Sequence, residues 1–301
     1  MIKAILFDIY GTLIDIQSDE HQMGTYELLS KYLEYKHIRL SPDQVKWFYH
    51  EEFARRLGDE PARPGSMEDF RKLISANPRA YPDDDIRSVF LAIIGKCGIP
   101  GPAELVHGVP ECGLITHGGV ETCGAAESER ASETKNQGRA SQEQDLLQHL
   151  AVDLSHLFRA STRKRIFLYP TVKPGVRALR EKYLLGIVSN AQEAFTPEEL
   201  DVFGLREYFD PIVLSSQAGV KKPNPRIFQA ALDRLGVQPH EAAFVGNELA
   251  ADVMGAASLG MRTILIGSPS YGIAGVAPDA TIPGNDTVEI GRIVDQWNHE
   301  Q

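Results

Sequence analysis

The stretch KAILFDIYGTL, from Lys3 to Leu13, decides how the rest of the chain is interpreted. It begins as a short apolar run of the length and composition typical of a buried parallel strand. The run ends at Asp8, and Gly11 and Thr12 then predict a turn. In an open α/β sheet, ligands bind beyond the carboxyl ends of the strands, so Asp8 is expected at the base of a crevice. A carboxylate there is able to act as a nucleophile or to hold a metal, although this stretch alone equally fits an Asp that only starts a turn.

The composition is that of a globular protein. The chain has 301 residues, of which 43% are hydrophobic and 24% charged, and its formal net charge is -10. This balance argues against nonspecific nucleic-acid binding and against an anionic membrane surface, but a local cluster of cations is still able to hold a small anion. No apolar run is long enough to span a bilayer, and the first one is too short for the core of a signal peptide. The three cysteines lack paired spacing, so we expect a cytoplasmic protein.

Helical patterns dominate the chain after the first strand. Apolar residues at helical spacing predict helices over about 19–36, 67–74, 86–94 and 146–158, and Ser41-Pro42-Asp43-Gln44 predicts the start of another through a capping box. We assign residues 16–97 and 143–164 to a helical cap domain. Residues 98–142 are rich in Gly, Glu, Ser and Thr and poor in large apolar side chains, which predicts a disordered insertion in that cap.

From Pro170 onward, strands and helices alternate. Apolar runs predict strands at 185–190, 212–214, 242–245, 263–266 and 280–282. The helices expected between and after them include one at 172–183, one opened by a capping box at Thr196-Pro197-Glu198-Glu199, one opened by Asn224-Pro225, and others at 250–259 and 288–297. The alternation predicts an α/β fold: a Rossmann-like doubly wound parallel sheet of residues 1–15 and 165–301, with an inserted all-helical cap.

Polar residues follow four of the predicted strands. They are Asp8, then Ser189 and Asn190, then Lys222, and finally Asn247 and Glu248 with Asp252 beyond them. In a parallel sheet these strand ends face one crevice, and together they suit a phosphoryl group. We expect Asp8 to attack, Lys222 to offset negative charge, and Ser189 with the main-chain N–H groups near Gly11 and Thr12 to hold phosphate oxygens. Asn247, Glu248 and Asp252 offer the hard oxygen ligands that magnesium accepts.

The ordered set resembles the motifs of the haloacid dehalogenase superfamily of hydrolases, in the subfamily with an inserted helical cap. The matching segments are DIYGTL at 8–13, GIVSN at 186–190, KPNPRIF at 222–228, and VGNE at 245–248 with Asp252 and Gly255-Ala256. The resemblance covers residues 1–15 and 165–285, and the helical region matches only in position and helix content. It implies that Asp8 is the nucleophile and Lys222 the functional lysine. It also implies substrate contacts from Gly11, Thr12, Ser189 and Asn190.

Two positions depart from the family pattern. Phosphatases of the superfamily usually carry a second Asp two residues after the nucleophile, as general acid and base, and here that catalytic position is Tyr10. The fourth motif usually has Asp directly after its Gly, and here Asn247 removes one negative charge, for which Glu248 or Asp252 is expected to compensate. We expect the Mg²⁺ ligands to be Asp8, the main-chain carbonyl of Tyr10, Asn247 and Asp252, with water completing the shell.

Three functions remain open at this point. The first is Mg²⁺-dependent hydrolysis of a small phosphorylated metabolite, an ester or anhydride, through an aspartyl-phosphate, and Ser189, Lys222 and Asp252 favour it. The second is a metal-free 2-haloacid dehalogenase that forms an ester on its nucleophile. Tyr10 favours it. However, no arginine-rich stretch follows the first motif to hold its substrate, and the nearest candidates, Arg55 and Arg56, lie far along the cap. The third is a catalytically weak binding protein of the same fold. We expect the first, with no nucleic-acid or membrane partner and with a homodimer as the assembly to test.

Overall fold

The computed structural model describes residues 1–58, 61–97, 129–267 and 271–300. The chain divides into two compact units. Unit 1 comprises Met1–Asp19, Ala54–Ile86 and Arg163–Gln301, and unit 2 comprises Glu20–Phe53 and Arg87–Thr162. None of the helices in the described ranges combines the length and the hydropathy that crossing a bilayer requires.

The helices and strands follow the chain in this order. The strands are β1 (Ala4–Phe7), β2 (Ile14–Ser18), β3 (Arg163–Leu168), β4 (Leu184–Ser189), β5 (Ile212–Leu214), β6 (Ala242–Gly246), β7 (Arg262–Ile266) and β8 (Ala280–Ile282). The helices are α1 (Met23–Tyr35), α2 (Pro42–Leu57), α3 (Met67–Ala76), α4 (Ile86–Cys97), α5 (Glu129–Thr162), α6 (Val172–Arg180), α7 (Thr196–Val202), α8 (Ser215–Ala218), α9 (Pro225–Leu235), α10 (Gly255–Ser258) and α11 (Thr287–His299). A π-helical turn, Leu249–Met254, precedes α10.

Unit 1 is built on a six-stranded sheet with the order β5-β4-β1-β6-β7-β8. Every neighbouring pair in it is parallel. The chain proceeds from β1 outward through β4 and β5, and then returns to the other side of β1 for β6, β7 and β8. The strand order therefore reverses beside β1, and such a switch point opens a crevice at the carboxyl ends of the strands. The predicted doubly wound parallel sheet is confirmed.

Alternate residues of β1 belong to two different hydrophobic cores, as the pleat of a strand requires. Ile5 and Phe7 are buried with residues of α6 and α11, whereas Ala4 and Leu6 are buried with residues of α9. Helix α9 begins as predicted: the side chain of Asn224 accepts a hydrogen bond from the backbone N–H of Arg226. These two layers of helices hold β1 rigidly, and they fix the point at which Asp8 leaves the sheet.

A second, two-stranded sheet in unit 1 was not predicted. Strands β2 and β3 pair antiparallel, with Ile14 opposite Leu168 and Ile16 opposite Ile166. Strand β2 alternates apolar and polar residues, and β3 begins with three cations, so neither has a continuous apolar run as long as that of β1. The period-two alternation of β2 is the signal that the sequence offers.

The described part of unit 2 is helical, with aromatic residues at the centre of its core. It contains α1, most of α2, most of α4, and α5. The ring of Tyr49 on α2 lies 4.8 Å from that of Phe158 and 5.9 Å from that of Phe90, measured between centroids. The capping box predicted for α2 is confirmed, because Gln44 N–H donates to Ser41 Oγ and Ser41 N–H donates to Gln44 Oε1.

Four expectations differ from the structure. Residues 54–86, assigned to the cap from the sequence, group with unit 1 because α3 packs through Met67 and Phe70 in one apolar cluster with the π-helical turn. Residues 129–142 of the predicted disordered segment belong to α5, while 98–128 lie outside the described residues. The expected helix at 250–259 is divided into the π-helical turn and α10. Finally, Thr196 does not cap α7, whose first helical residue it is.

Candidate active site

Asp8 directly follows β1 at the switch point of the sheet, and its backbone N–H donates to the carbonyl of Val245 on β6. Its carboxylate is almost fully buried. Ser189 Oγ, at the end of β4, donates to Asp8 Oδ1 at 2.7 Å, and Lys222 Nζ lies 2.7 Å from the same oxygen. Asp8 Oδ2 accepts no hydrogen bond from the residues that the structure describes. One oxygen is thus held in place, and the other is left to react.

Lys222 bridges two acidic residues. Its ammonium lies 2.7 Å from Asp8 Oδ1 and donates to Asp252 Oδ1, also at 2.7 Å. Burial by itself lowers the pKa of Lys222, but the carboxylates of Asp252 and Asp8 outweigh burial, so the pKa of this ammonium is raised. The lysine therefore stays charged and compensates for much of the negative charge at the site.

Asp252 is held by the backbone of the fourth motif as well as by Lys222. The N–H groups of Asn247 and Glu248 donate to Asp252 Oδ2 at 2.9 and 2.8 Å. Burial raises the pKa of Asp252, and Lys222 opposes that rise. Position 246, at the end of β6, must be glycine, because a Cβ on Gly246 would lie 2.3 Å from the Asp252 carboxylate carbon. The π-helical turn brings that carboxylate back over the end of β6.

The turn after Asp8 joins the first motif to the fourth. Gly11 has φ +82, and a Cβ there would lie 2.5 Å from Asn247 Nδ2, so both its backbone conformation and its surroundings require glycine. Thr12 is buried, and its hydroxyl donates to Asn247 Oδ1 at 3.2 Å. The N–H groups of Gly11 and Thr12, expected to hold phosphate oxygens, instead donate to the carbonyls of Ile14 and Ile9 within the turn.

Asn190 fixes the loop that carries the lysine. Its side-chain Oδ1 accepts from the backbone N–H of Lys222 at 2.7 Å, and its Nδ2 donates to the carbonyl of Lys222 at 3.2 Å. Both the oxygen and the nitrogen of the Asn190 amide therefore bind the backbone of Lys222 and hold it in position.

Tyr10 makes a contact that the sequence did not reveal. Its hydroxyl donates to Glu199 Oε2 at 2.5 Å and lies 3.1 Å from Thr196 Oγ1, both on α7. The other carboxylate oxygen of Glu199 accepts from Arg163 at 3.1 Å. The sequence pattern predicts that Glu199 closes a capping box, and this local pattern conceals the contact with Tyr10. Nothing in the sequence links two residues that lie so far apart in the chain.

A cavity of about 390 Å³ adjoins these loops within unit 1. On the active-site side it is lined by Asn190, Lys222 and Glu248. On the other side it is lined by Arg63, which precedes α3, and by Tyr81, which follows α3. The segment of Tyr81 is fixed to the loop that carries Lys222, because the backbone N–H of Lys221 donates to the Tyr81 carbonyl at 2.7 Å. Asn224 Nδ2 likewise donates to the carbonyl of Ala80 at 2.7 Å.

The oxygen atoms near Asp8 fit a hard divalent cation in chemical type. Asp8 and Asp252 supply carboxylates and Asn247 supplies an amide oxygen, and Mg²⁺ prefers such ligands. Among the described residues, no three or more His, Cys, Asp or Glu side chains cluster as a metal site. Only two of these three side chains are carboxylates, because Asn247 stands where the family pattern usually has a third.

Comparison with known proteins agrees with the fold. The family model for haloacid dehalogenase-like hydrolases matches residues 2–260, and the chain belongs to that family. The predicted family membership is confirmed. A solved 2-haloacid dehalogenase from Pseudomonas syringae pv. Tomato covers 99% of this chain and 100% of its own, with a TM-score of 0.53 and 20% identity. At this identity the likeness shows the fold alone.

Curated relatives match over a shorter stretch. A glyceraldehyde 3-phosphate phosphatase from Methanopyrus kandleri is 41% identical over 104 residues, which are 34% of this chain and 45% of that protein. A phosphoserine phosphatase from Thermus thermophilus is 35% identical over 105 residues, 35% of this chain and 42% of that protein. The chain therefore matches less than half the length of each.

Proposed function

We propose that this protein is a phosphatase that hydrolyses a small phosphorylated metabolite through an aspartyl-phosphate on Asp8. One observation carries the proposal: Ser189 and Lys222 both bind Asp8 Oδ1, while Oδ2 accepts no hydrogen bond from the described residues. A nucleophilic carboxylate needs this asymmetry, because one oxygen must be oriented and the other exposed to phosphorus. The phosphatase names of the relatives from M. kandleri and T. thermophilus support the same reaction class.

The reaction we propose has two steps. Asp8 Oδ2 attacks phosphorus, and the bond from phosphorus to the leaving oxygen breaks. Water then attacks the aspartyl-phosphate, which releases phosphate and restores the carboxylate. Lys222 remains protonated throughout, because Asp8 and Asp252 raise its pKa, and its charge offsets that of the transferred phosphoryl group. The hydroxyl of Tyr10 donates to Glu199, so this reaction favours leaving groups that need little protonation.

Magnesium is the cofactor we propose for this site. Asp8, the main-chain carbonyl of Tyr10, Asn247 and Asp252 are the ligands offered by the chain, with Glu248 as the neighbouring carboxylate. When bound, the ion would neutralise charge on the phosphoryl oxygens. Affinity is expected to be weaker than with an aspartate at position 247, because Asn247 brings no charge.

A 2-haloacid dehalogenase is the second candidate, because Tyr10 lies two residues after the nucleophile, at a position where such enzymes also have tyrosine. Two observations weigh against it. Arg56, one of the two arginines considered for its substrate, forms an ion pair with Asp84 at 2.6 Å. Neither Arg55 nor Arg56 lines the cavity beside Lys222.

The deciding experiment is a hydrolysis screen over phosphorylated metabolites and 2-haloacids, each with magnesium and with excess chelator. Wild type is compared with Asp8→Asn, and with Asp233→Asn, an exposed aspartate on α9, as the matched control. We expect magnesium-dependent phosphate release that Asp8→Asn abolishes and Asp233→Asn retains. Turnover of 2-haloacids in chelator would replace this proposal with the dehalogenase. Binding without turnover of either class would leave the weak binding protein.

A further inference from the structure

The cavity beside Lys222 is lined by more positive charge than the reaction at Asp8 uses. Its lining includes Arg63, Lys221 and Lys222 as cations and Glu248 as the one acid among the residues that line it. This local excess of positive charge contrasts with the net charge of -10 for the whole chain. Lys222 already contacts two carboxylates. The positive charge beyond it, on Arg63, is available for something else.

The guanidinium of Arg63 is held in place without being neutralised by a carboxylate of the described residues. The guanidinium carbon lies over the ring of Tyr271, 4.3 Å from the ring centroid, and no ion pair joins it to a carboxylate of the described residues. A cation–π contact forms no hydrogen bond to a carboxylate or carbonyl oxygen, so the guanidinium keeps N–H donors for a ligand. An arginine held in this way is pre-organised to bind a carboxylate or phosphate with two parallel hydrogen bonds.

The loop that carries Arg63 is fixed relative to the active-site loops. The backbone N–H of Ala274 donates to the Gly65 carbonyl at 3.2 Å, and that of Met67 donates to the Ala274 carbonyl at 3.0 Å. Met67 is buried in the apolar cluster that also contains Leu249 and Val253 of the π-helical turn. The distance between Arg63 and the fourth motif is therefore set by a packed core and not by a free loop.

We propose that the substrate carries a second anionic group besides the phosphoryl group, a carboxylate or a second phosphate, and that Arg63 binds it in this cavity. This inference rests on the proposed phosphatase function and adds to it the chemical class of the substrate. The cavity of about 390 Å³ adjoins Lys222, and the excess of positive charge in its lining suits the second anionic group. Arg63 then determines specificity and takes no part in bond breaking.

The test uses two compounds that differ in one charge. They are 3-carboxyphenyl phosphate and its neutral analogue 3-carbamoylphenyl phosphate, two aryl esters of nearly equal size. We expect Arg63→Gln to lower kcat/KM for the carboxylate about tenfold, mainly through KM, and to leave that of the carboxamide within about twofold. Arg63→Lys should give an intermediate loss, because it keeps the charge without the planar fork. Arg71→Gln, an exposed arginine of α3, is the matched control. An equal effect on both compounds, or none on either, overturns the proposal.

A second readout separates this inference from the proposed function. The two compounds are titrated by calorimetry into the Asp8→Asn protein, with and without Arg63→Gln, so that turnover is not needed. Tighter binding of the carboxylate that disappears with Arg63→Gln supports the site even if wild type hydrolyses neither compound. If the carboxylate compound binds through Arg63 but is not hydrolysed, only the proposed phosphatase function fails, and the proposed role of Arg63 stands. Equal binding of both compounds, or binding of neither, overturns the role of Arg63.

Discussion

Replacing Lys222 with methionine is expected to destabilise unit 1 because it leaves two buried carboxylates without the cation that bridges them. The lysine side chain is 2% exposed, and those of Asp8 and Asp252 are 10% and 1% exposed. Breaking a buried ion pair by removing one partner costs about 3–5 kcal/mol, because the remaining charge has neither water nor a counter-ion. The adjacent Lys221 is the matched control: it lies at the cavity and is less buried, so Lys221→Met should cost less than about 1 kcal/mol.

A double-mutant cycle tests the cause of this loss. Asp252→Asn alone is expected to be destabilising, since it removes a partner of Lys222. In the Lys222→Met background the same change should restore about 1–2 kcal/mol, because it removes one of the uncompensated charges. The effect of one substitution thus reverses its sign with the background.

Fluorescence can follow unit 1 separately. The chain has two tryptophans, Trp47 in unit 2 and Trp297 in unit 1. With Trp47→Phe as the common background, unfolding by urea in excess chelator is followed through Trp297 on α11. The reasoning is refuted if Asp252→Asn has the same effect with and without Lys222, or if Lys222→Met costs no more than Lys221→Met.

Two further predictions concern the loops around Asp8. Gly11→Ala should cost about 1–2 kcal/mol in backbone strain and lower kcat at least about tenfold, because φ is +82 and the new Cβ would meet Asn247. Gly219→Ala, with φ +68 and no atom near its added Cβ, isolates the strain, and an equal loss of kcat in both variants contradicts the steric argument. Asn247→Asp should lower the magnesium concentration needed for half-maximal activity, because it restores a carboxylate to the proposed ligands. An unchanged requirement in a magnesium titration, or full activity in excess chelator, contradicts the proposed metal site.

Local patterns in the sequence were sufficient for features that depend on neighbouring residues. The capping box of Ser41 and Gln44 and the N-cap of Asn224 are satisfied within a single turn, so their patterns alone predict them. The strands of the large sheet were found for a similar reason, because strands buried on both faces are continuous apolar runs. The motifs at their ends then located Asp8, Ser189, Lys222 and Asp252, which the structure brings together.

Features that depend on distant parts of the chain were not predictable in this way. Residues 54–86 have helical patterns like those of the cap, yet they group with unit 1 because the apolar face of α3 matches the π-helical turn. The sequence shows that this face is apolar but not which surface it covers. Arg63 was not singled out as a site residue for the same reason, since only its position beside the cavity distinguishes it from other arginines.

Glu199 shows how a correct local rule leads to a wrong assignment. Thr196 and Glu199 have the spacing of a capping box, and Pro197 stands where such a box favours proline. In the structure the helix already includes Thr196, and Glu199 accepts hydrogen bonds from Tyr10 and Arg163 instead. A carboxylate that binds two donors from other segments gains more than one that binds a single backbone N–H of its own helix. The tertiary contact therefore prevails. It also ties the turn after Asp8 to α7 at the position where a second aspartate is usual in the family.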